Sequence, residues 1–553
     1  MDAIPRQASV VVIGAGPTGL TVASLLATYG VTPIVLEKAP QPFDLPRAIV
    51  LDDEGARTLQ VIGLHDSYVS GANAAVGSAY FDETGACFAR TGAGPENFGF
   101  PKRSYIYQPE MEAALRDRLD QLAPGALRHG CEVTAIEHRG DHTLLSVATP
   151  DGPHRIAADW VLACDGGRSP TRDRLGIAMT GKTYGQDWIV IDTRNDPDQD
   201  QFSKFHCSSE RPQLTVPAPH GGRRYEFMML PGETPQQVLA PEFIADLLRP
   251  YRGAVDQSDM IRKTVYTFHA RIAERFRENR VLLLGDAAHL TPPFAGQGMN
   301  AGLRDAHNVA WKLAATLQGG ADPAILDSYF AERRDPAWDM ILLAVAMGDI
   351  VMPLDPAALQ FRRLLLQALE PFPRVRDYLI QMKFKPRPRY ATGLFIGLDA
   401  PEFEADLTGE MIPQPFVDSA AGQLRLDDIL GAGFALIAQD HAGAMALSRI
   451  DAATLAGLPL ARICLQTDPA VALAEGWTRI ADPRFARPFR THRDRILLIR
   501  PDRYCAASIA PEALPDLMGR FQRSLGIATV SPESARVLND LPGSRQQERP
   551  HAQ

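Results

Sequence analysis

A short apolar run near the N-terminus leads directly into three closely spaced glycines. Residues 10–13 read Val-Val-Val-Ile, and Gly14, Gly16 and Gly19 follow with G-x-G-x-x-G spacing. The β-branched run predicts a buried parallel strand, and the glycines allow a tight turn that brings a helix N-terminus against a pyrophosphate. Glu37 ends the next apolar run, where a carboxylate accepts a hydrogen bond from a ribose hydroxyl. The pattern predicts a dinucleotide site, and the alternative is a tight turn without a ligand.

Two later segments place an aspartate just after another apolar run. Asp165 follows the run at 160–164, and Asp286 follows the run at 281–284. The second segment continues into a loop that reads Gly-Gln-Gly-Met-Asn at 296–300, and a helix is predicted after it. Without side chains in the way, the amides of such a loop can approach a flat ring closely.

The three segments, in this order and at these separations, resemble the fingerprints of single-component FAD-dependent aromatic hydroxylases. The resemblance covers nearly the whole chain and is strongest to the 3-(3-hydroxyphenyl)propionate and 3-hydroxycinnamate hydroxylases. The segments that carry it are 46–54, 107–109, 163–167, 224–234 and 382–386. It implies FAD as the cofactor and NADH or NADPH as a transient electron donor, which agrees with the lack of a second dinucleotide fingerprint.

The resemblance also implies roles for individual residues around the flavin. The aspartate that matches Asp286 holds the ribitol, the segment at Asp165 serves both FAD and the nicotinamide nucleotide, and the loop at 296–300 contacts the isoalloxazine. The resemblance implies that Arg47 lies near the pyrophosphate; the alternative is an exposed loop arginine. It also implies that Gln108 forms a hydrogen bond with FAD; the alternative is a polar group at the start of a helix. The expected cofactor-binding residues are Gly14, Gly16, Gly19, Glu37, Arg47, Gln108, Asp165, Gly285, Asp286, Gly296, Gly298, Met299 and Asn300.

Hydroxylation by a flavin requires a site that excludes water while a C4a-hydroperoxide of the flavin transfers oxygen to an activated ring. Pro293 is expected to border that site, because proline has no N–H to donate; the alternative is a turn before a helix. The phenol must lose or share its proton, and Tyr225 and His206 are the candidate bases, unless both are ordinary sheet residues. His289 lies inside a flavin-binding motif, where we expect a structural hydrogen bond.

A carboxylate on the substrate would require a cationic partner. Arg211, Arg223 and Arg224 lie on the same predicted sheet and are the candidates for substrate binding. The alternative for at least two of them is a solvent-exposed position.

These observations predict a hydroxylase that adds oxygen ortho to the hydroxyl of a phenol. The resemblance implies 3-(3-hydroxyphenyl)propionate as substrate and 3-(2,3-dihydroxyphenyl)propionate as product. The alternatives are the hydroxylation of another phenol or of a polyketide ring, an FAD-linked dehydrogenase or reductase that does not use O2, and a flavin-binding sensor without catalytic activity.

Composition argues against several other classes of protein. The chain has 553 residues and a formal net charge of −9, and its 57 basic residues are scattered, so no nucleic acid partner is expected. No run of eighteen apolar residues occurs, so we expect a cytoplasmic protein without a membrane partner. The six cysteines form neither a C-x-x-C pair nor a metal-ligand pattern, so no metal is expected. The expected partners are a small phenol, O2 and NAD(P)H, and a homodimer is left open.

The order of strand-like and helix-like segments predicts an α/β fold with a Rossmann-like FAD-binding domain. This domain is expected to be split between residues 1–180 and 276–395, the latter with a helical region, around an antiparallel-sheet substrate domain at 181–275. Residues 400–541 resemble a thioredoxin-like domain that lacks the paired cysteines of redox chemistry, which favours a packing or dimer-supporting role. The polar residues 542–553 are expected to form a disordered tail.

Overall fold

The apolar run before the glycine loop forms the first strand of a mostly parallel sheet. The computed structural model of the protein describes residues 4–253, 256–380, 387–398, 406–419, 422–468 and 470–527. The strands up to residue 163 are β1 (Gln7–Ile13), β2 (Ile34–Glu37), β3 (Val50–Asp52), β4 (Asn73–Ala74), β5 (Gly77–Phe81), β6 (Cys87–Thr91), β7 (Arg103–Tyr105), β8 (Leu127–His129), β9 (Glu132–His138), β10 (Thr143–Thr149) and β11 (Gly152–Ala163). The helices of this part are α1 (Pro17–Thr28), α2 (Asp53–Val61), α3 (Gln108–Leu122) and α4 (Pro170–Arg174).

The remaining elements follow in three groups. The middle of the chain contains β12 (Met179–Thr193), β13 (Phe202–His206), β14 (Gln213–Ala218), β15 (Gly222–Met228), β16 (Met260–Ala273), α5 (Pro235–Val238) and α6 (Pro241–Arg252). The next group is β17 (Arg277–Glu278), β18 (Val281–Leu283), β19 (His289–Leu290), α7 (Gly298–Gln318), α8 (Asp327–Val351), α9 (Pro356–Ala368) and α10 (Pro373–Ile380). The last group is β20 (Phe416–Ser419), β21 (Gly422–Arg425), β22 (Phe434–Ala438), β23 (Thr454–Leu455), β24 (Leu458–Gln466), β25 (Trp477–Ile480), β26 (Ile496–Ile499), β27 (Cys505–Ile509), α11 (Leu426–Leu430), α12 (His441–Leu447), α13 (Ala486–Arg490) and α14 (Leu514–Ser524).

The first sheet has the strand order β17-β18-β11-β1-β2-β8, and β9 and β10 extend it from β11. Strands β18, β11, β1, β2 and β8 pair in parallel. Val10, Val11 and Val12 of β1 are fully buried, as expected for a strand that is covered on both sides. Because β18 returns to this sheet more than a hundred residues after β11, two separate parts of the chain build it. The predicted α/β fold with a Rossmann-like sheet is confirmed.

The second sheet has the order β19-β16-β12-β15-β14-β13-β5-β6 and is antiparallel except where β13 meets β5. Its outer face carries Tyr225 and Phe227, which pack with Ile244 and Leu248 of α6. Its inner face is the opposite one, and there Trp188 contacts the ring of a phenylalanine in the loop before α7. Strands β5 and β6 belong to this sheet although they lie within residues 1–180, which we expected to form only the FAD-binding domain.

Helix α7 begins within the loop at 296–300, which is expected to contact the flavin and is called the flavin loop below. It packs against α1. A side chain on Gly285 would place its Cβ 2.7 Å from Thr18 Oγ1 of α1, and the residue has φ +59°, so glycine is required at this junction.

No described helix is by itself long and apolar enough to cross a membrane, although Pro323–Val351 and Pro356–Ala368 pass that test as a pair bent by 104°.

The last sheet has the order β21-β20-β25-β24-β22-β26-β27. Strands β22 and β24 are parallel, β26 is antiparallel to β22, and β27 is antiparallel to β26. Helix α12 follows β22 and α14 follows β27. This βαβ–ββα arrangement is that of a thioredoxin-like fold, as predicted. Cys464 and Cys505 are both free thiols. Residues 400–405, 420–421, 469 and 528–541 of the predicted domain, and the predicted tail at 542–553, lie outside the described residues.

A network of buried charges joins this last sheet to α7 and α8. Arg500 donates two hydrogen bonds to Glu332, of 2.8 and 2.7 Å, and Lys312 donates a third, of 2.8 Å. The three side chains have no solvent exposure, and Arg500 also pairs with Asp502. Buried charges are tolerated only when they are paired in this way, so each side of the interface depends on the other.

Candidate cofactor and substrate site

The glycine loop lies between β1 and α1 and has the shape that a pyrophosphate requires. Gly14 has φ +100°, and a Cβ there would lie 2.5 Å from a backbone oxygen just after β11; a Cβ on Gly19 would collide with the Gly14 carbonyl. Gly16 precedes α1 without a side-chain cap, so the first amides of the helix remain open to an anion. Glu37 accepts a hydrogen bond from Ala15 N at 2.8 Å, which places its carboxylate at the loop. Its contact with a ribose stays a prediction.

Arg47 extends over this loop. Its Nη2 atom is 4.0 Å from the position of a Cβ on Gly16, and about half of its side chain is exposed, so its charge faces the expected pyrophosphate. Gln108 is buried, accepts hydrogen bonds from the backbone N of Arg47 and Ala48, and donates to Glu112 at 2.6 Å. Gln108 therefore shapes the Arg47 loop, whereas the sequence predicted a bond to FAD itself.

Asp286 lies where the chain passes from the first sheet to the second, between β18 and β19. We call the solvent-accessible space around it the recess. The side chain of Asp286 is accessible to solvent, yet burial raises its pKa, against the effect of His289 and Arg47, as happens for a carboxylate in a concave site. Tyr266 of β16 behaves in the same way: the residue is 51% exposed, and its pKa is raised by burial and by the charge of Asp286. Tyr266 pairs with Trp188 across β16 and β12, so its side chain lies on the inner face of the second sheet.

Contacts with residues 50–52 fix the shape of the loop before α7. Pro293 is exposed at the start of a 3-10 turn, and Gly296 has φ +62° with Val50 3.3 Å from its Cβ position. The Asn300 carboxamide accepts from Asp52 N at 3.0 Å and donates to Val50 O and Gly296 O, at 3.1 and 2.8 Å. Its side chain therefore supports the loop, and the predicted contact of Asn300 with the isoalloxazine stays a prediction.

The start of α7 offers the open groups of this loop. Gly298 is the first residue of α7, Met299 is half-buried, and Gln297 before them makes no capping hydrogen bond. Asp286 Oδ1 is 3.8 Å from the Cβ position of Gly298. The first amides of a long helix, next to an accessible carboxylate, form the polar end of the recess.

The two other aspartates near the recess are used within the protein. Asp165 accepts from Ser169 Oγ at 2.5 Å and from Thr171 N at 3.0 Å, so its carboxylate holds the start of α4. Asp305 accepts from Gly285 N at 3.0 Å and from His289 Nε2 at 2.6 Å. Burial opposes the charge on Asp305, but His289 and Arg333 outweigh it and lower the pKa of Asp305 to about 2. The structural hydrogen bond predicted for His289 is confirmed.

Three carboxylates converge on α7 from residues 52–54. Arg304 of α7 makes ion pairs with Asp52 and Glu54, which supplies the positive charge that the cluster requires.

The structure corrects the two candidate bases. Tyr225 lies on the outer face and donates a hydrogen bond of 2.9 Å to the buried carboxylate of Asp196; burial and this carboxylate raise the pKa of its hydroxyl. His206 stacks on Phe81 and meets the edge of Tyr251 on the same face, and burial lowers its pKa. Because side chains of a strand alternate between faces, both groups point away from the recess.

The three predicted substrate arginines are also engaged within the protein. Arg211 pairs with Glu233, and Arg223 is buried and donates to the carbonyl oxygens of Asp198 and Asp200. Arg224 is described below with its partners.

Arg224 of the inner face joins the second sheet to the FAD side of the recess. It donates two hydrogen bonds to Asp192, of 2.7 and 3.0 Å, one of 3.0 Å to Pro46 O and one of 2.6 Å to Arg47 O. Four of the five N–H groups of its guanidinium are thereby used. The structure thus gives none of the three arginines a free guanidinium for a substrate carboxylate.

Two inner-face residues were missed in the sequence. Glu226 is 6% exposed, its Oε2 atom has no hydrogen-bond partner among the described residues, and burial raises its pKa to about 7. Arg262 donates to Pro46 O and makes no ion pair with any residue that the structure describes. The alternation of β15 separates Glu226 from Tyr225, but the sequence does not tell which of them faces the recess.

The fold and the site define a flavoprotein in which a Rossmann-like sheet is combined with an antiparallel sheet. Residues 7–344 match the protein family described as FAD binding domain, and residues 409–524 match the family described as HcaD C-terminal domain. The open glycine loop, Arg47 and the accessible carboxylate of Asp286 fit a dinucleotide with a flavin ring at the α7 end of the recess.

Curated relatives extend this match over almost the whole chain. A protein of Burkholderia vietnamiensis named 3-(3-hydroxy-phenyl)propionate/3-hydroxycinnamic acid hydroxylase 2 is 38% identical over 94% of this chain and 96% of its own length. A hydroxylase of that name from Escherichia coli is 35% identical over 94% and 95%. The chain therefore belongs to the family of FAD-dependent aromatic hydroxylases, as the sequence motifs predicted, and it is an enzyme that uses FAD.

Solved structures share the fold from end to end. The anhydrotetracycline hydroxylase OxyS from Streptomyces rimosus superposes with a TM-score of 0.72 at 27% identity, covering 94% of this chain and 99% of its own. Aklavinone-11 hydroxylase, in a complex with FAD and aklavinone, has a TM-score of 0.75 at 23% identity, covering 95% and 100%. The second likeness concerns the fold alone.

Proposed function

We propose that the protein hydroxylates a phenol with a short carboxylic acid side chain, of the 3-(3-hydroxyphenyl)propionate or 3-hydroxycinnamate type, at the carbon ortho to the hydroxyl. One NAD(P)H, one proton and one O2 are consumed, and the products are a catechol, NAD(P)⁺ and water. The identity of 38% over 94% of the chain carries the proposal, because it extends over almost the full length of both proteins.

Each group around the recess has a task in this reaction. The glycine loop and Arg47 would bind the pyrophosphate, Glu37 the ribose and Asp286 the ribitol, each through charge or hydrogen bonds. FAD, when bound, accepts hydride from NAD(P)H and activates O2. The start of α7 would stabilise negative charge on the ring system through its open amides. Pro293 borders the loop without an N–H that could protonate a reactive oxygen species.

An apolar wall on the inner face supports a reaction that must exclude water. The rings of Trp188 and Phe294 meet edge to face with centroids 5.6 Å apart, and Phe268 and Phe294 meet in the same way at 5.4 Å. All three residues are buried. An aromatic substrate would pack well against such a wall, and water would be kept from the reacting atoms.

Arg262 supports an anionic substrate over an uncharged one. It lies on the inner face opposite Asp192, and its single described hydrogen bond goes to a backbone oxygen. A guanidinium without a carboxylate partner in a partly buried position is suited to bind a substrate carboxylate. The likeness to OxyS favours a polycyclic phenol as the second candidate substrate.

The test is a panel of phenols with FAD-loaded enzyme. NADH and NADPH oxidation, O2 uptake, hydrogen peroxide and catechol are measured with 3-(3-hydroxyphenyl)propionate, 3-hydroxycinnamate, 3-propylphenol and anhydrotetracycline. We expect one catechol per NAD(P)H with the first two phenols. Substrate-dependent NAD(P)H oxidation that persists without O2 would instead identify a dehydrogenase, and a coupled reaction with anhydrotetracycline alone would identify a polyketide hydroxylase.

A homodimer and a cytoplasmic location stay predictions. Light scattering after size-exclusion chromatography tests the first, and cell fractionation tests the second.

A further inference from the structure

Glu226 lies at the middle of the inner face, between two points where the second sheet touches the FAD side of the recess. It follows Arg224 by two residues on β15, so both side chains are on the same face, and Arg224 reaches Pro46 O and Arg47 O. Across the sheet Glu226 pairs with Val190, two residues from Trp188, which contacts the loop before α7. The carboxyl therefore faces the space where a substrate would lie above the flavin.

The carboxyl lacks the hydrogen bonds that a buried acid normally has. Its Oε2 atom is buried and has no partner among the described residues, and its Oε1 atom is 4.0 Å from Arg224 Nη1, beyond hydrogen-bonding distance. Arg224 cannot turn toward it without giving up its bonds to Asp192 and to the Pro46 and Arg47 carbonyls. Buried polar atoms without a partner are rare and costly, so this oxygen indicates a donor that arrives with the substrate.

The other titratable groups that face Glu226 are unsuited to accept a proton. Asp192 of β12 is held by Arg224, and Arg224 and Arg262 are cations. Burial is the largest influence on Glu226 and raises its pKa; Asp192 raises it further, while Arg224 and Arg262 lower it, and the result is about 7. A carboxylate with this pKa is matched to proton transfer near neutral pH.

We propose that Glu226 accepts the proton of the substrate's phenolic hydroxyl and thereby activates the ring. The O–H bond breaks, the proton moves to Glu226 Oε2, and the electron pair stays on the phenolate oxygen, from which it raises the electron density at the ortho carbon. The step needs no co-reactant beyond those of the hydroxylation. It rests on the proposed function, because it assumes a phenolic substrate.

The first test compares Glu226→Gln with wild-type enzyme. Glutamine keeps the shape of the side chain and removes the proton acceptor, so hydroxylation at pH 7.5 should fall by about 10²- to 10⁴-fold. The dissociation constants of FAD and of the phenol should stay within threefold, and NAD(P)H oxidation should continue with release of hydrogen peroxide. Glu226→Asp keeps a carboxylate on a shorter side chain and should retain part of the coupled reaction. This variant tests the role of the carboxylate even if Glu226→Gln folds poorly.

Glu233→Gln is the matched control. It makes the same chemical change just beyond β15, where Glu233 pairs with Arg211 away from the recess, and it should leave the coupling ratio and the pH profile unchanged.

The second test follows the rate of coupled hydroxylation as a function of pH. In wild-type enzyme with FAD the rate should fall as the pH drops below about 7, because Glu226 is then protonated and cannot accept the phenolic proton. In Glu226→Gln this acidic limb should be absent. Coupled hydroxylation by Glu226→Gln within threefold of wild type, or identical pH profiles of the two enzymes, would refute the role of Glu226 alone. Wild-type enzyme that hydroxylates no phenol of the panel would refute the proposed function itself.

Discussion

Replacing Arg224 with methionine should weaken the junction between the second sheet and the FAD side of the recess, and not the recognition of a substrate carboxylate. The change removes four hydrogen bonds and leaves Asp192 buried without its partner. Removing one partner of a buried ion pair costs about 3–5 kcal/mol. With an unfolding entropy of about 2.1 cal/mol/K per residue, a unit of roughly 390 residues then loses about 5 °C in Tm. FAD should also bind more weakly, because the Arg47 loop loses its support.

Arg211→Met is the matched control. Arg211 and Glu233 have side chains that are each 18% exposed, so the carboxylate left behind can reach water, and the loss of Tm should be smaller than in Arg224→Met. Scanning fluorimetry of the FAD-loaded variants gives the Tm values, and steady-state kinetics gives KM for 3-(3-hydroxyphenyl)propionate and 3-propylphenol. The ratio of the two KM values should change by less than about twofold in either variant. A stable Arg224→Met enzyme with a raised KM for the carboxylate substrate only would show that Arg224 binds the substrate.

Three further predictions concern the cofactor, the thiols and acid stability. Asp286→Ala should weaken FAD binding by about ten- to a hundredfold, because a charged hydrogen bond contributes about 1–3 kcal/mol; full retention of FAD in a fluorescence titration at nanomolar protein would contradict it. The double variant Cys464→Ser, Cys505→Ser should keep its turnover and coupling, because both thiols are free; lost activity in a folded, FAD-loaded protein would overturn the structural reading. Asp427 is buried, which opposes its charge, but two arginines lower its pKa from 3.8 to about 2. The ion pairs of Asp427 with Arg57 and Arg503 therefore contribute their full stability above about pH 4, and this contribution is lost as the pH falls toward 2. In Asp427→Asn, the free energy of unfolding in urea should depend less on pH in that range.

The cofactor side of the recess could be predicted because its determinants are local in sequence. Gly14 and Gly19 must be glycines to close one turn, Glu37 is the last residue of β2, and Asp286 lies three residues after the end of β18. Such requirements leave a pattern within a few residues, and backbone geometry fixes where the side chains lie.

The substrate side could not be predicted in the same way. Alternation tells that Tyr225 and Glu226 lie on opposite faces, but only the packing of α6 decides which face is covered. The partners of Arg224 include carbonyl groups of residues 46 and 47, far away in sequence, so its engagement leaves no local signal. For the same reason the sequence did not predict that β5 and β6 belong to the second sheet, because β5 pairs with β13, which is more than a hundred residues away.

The buried charges between α7, α8 and the last sheet set an order of events during synthesis. A ribosome releases the chain from its N-terminus at about 5–20 residues per second, so Arg500 emerges roughly 10–40 s after Lys312. During that interval Glu332 has Lys312 and Asn308 as side-chain partners and lacks the bidentate arginine that completes its site. Helix α7, which begins at the flavin loop, therefore reaches its final packing only when the C-terminal sheet has been made. A nascent chain that stalls before residue 500 should be a target for chaperones and should not retain FAD.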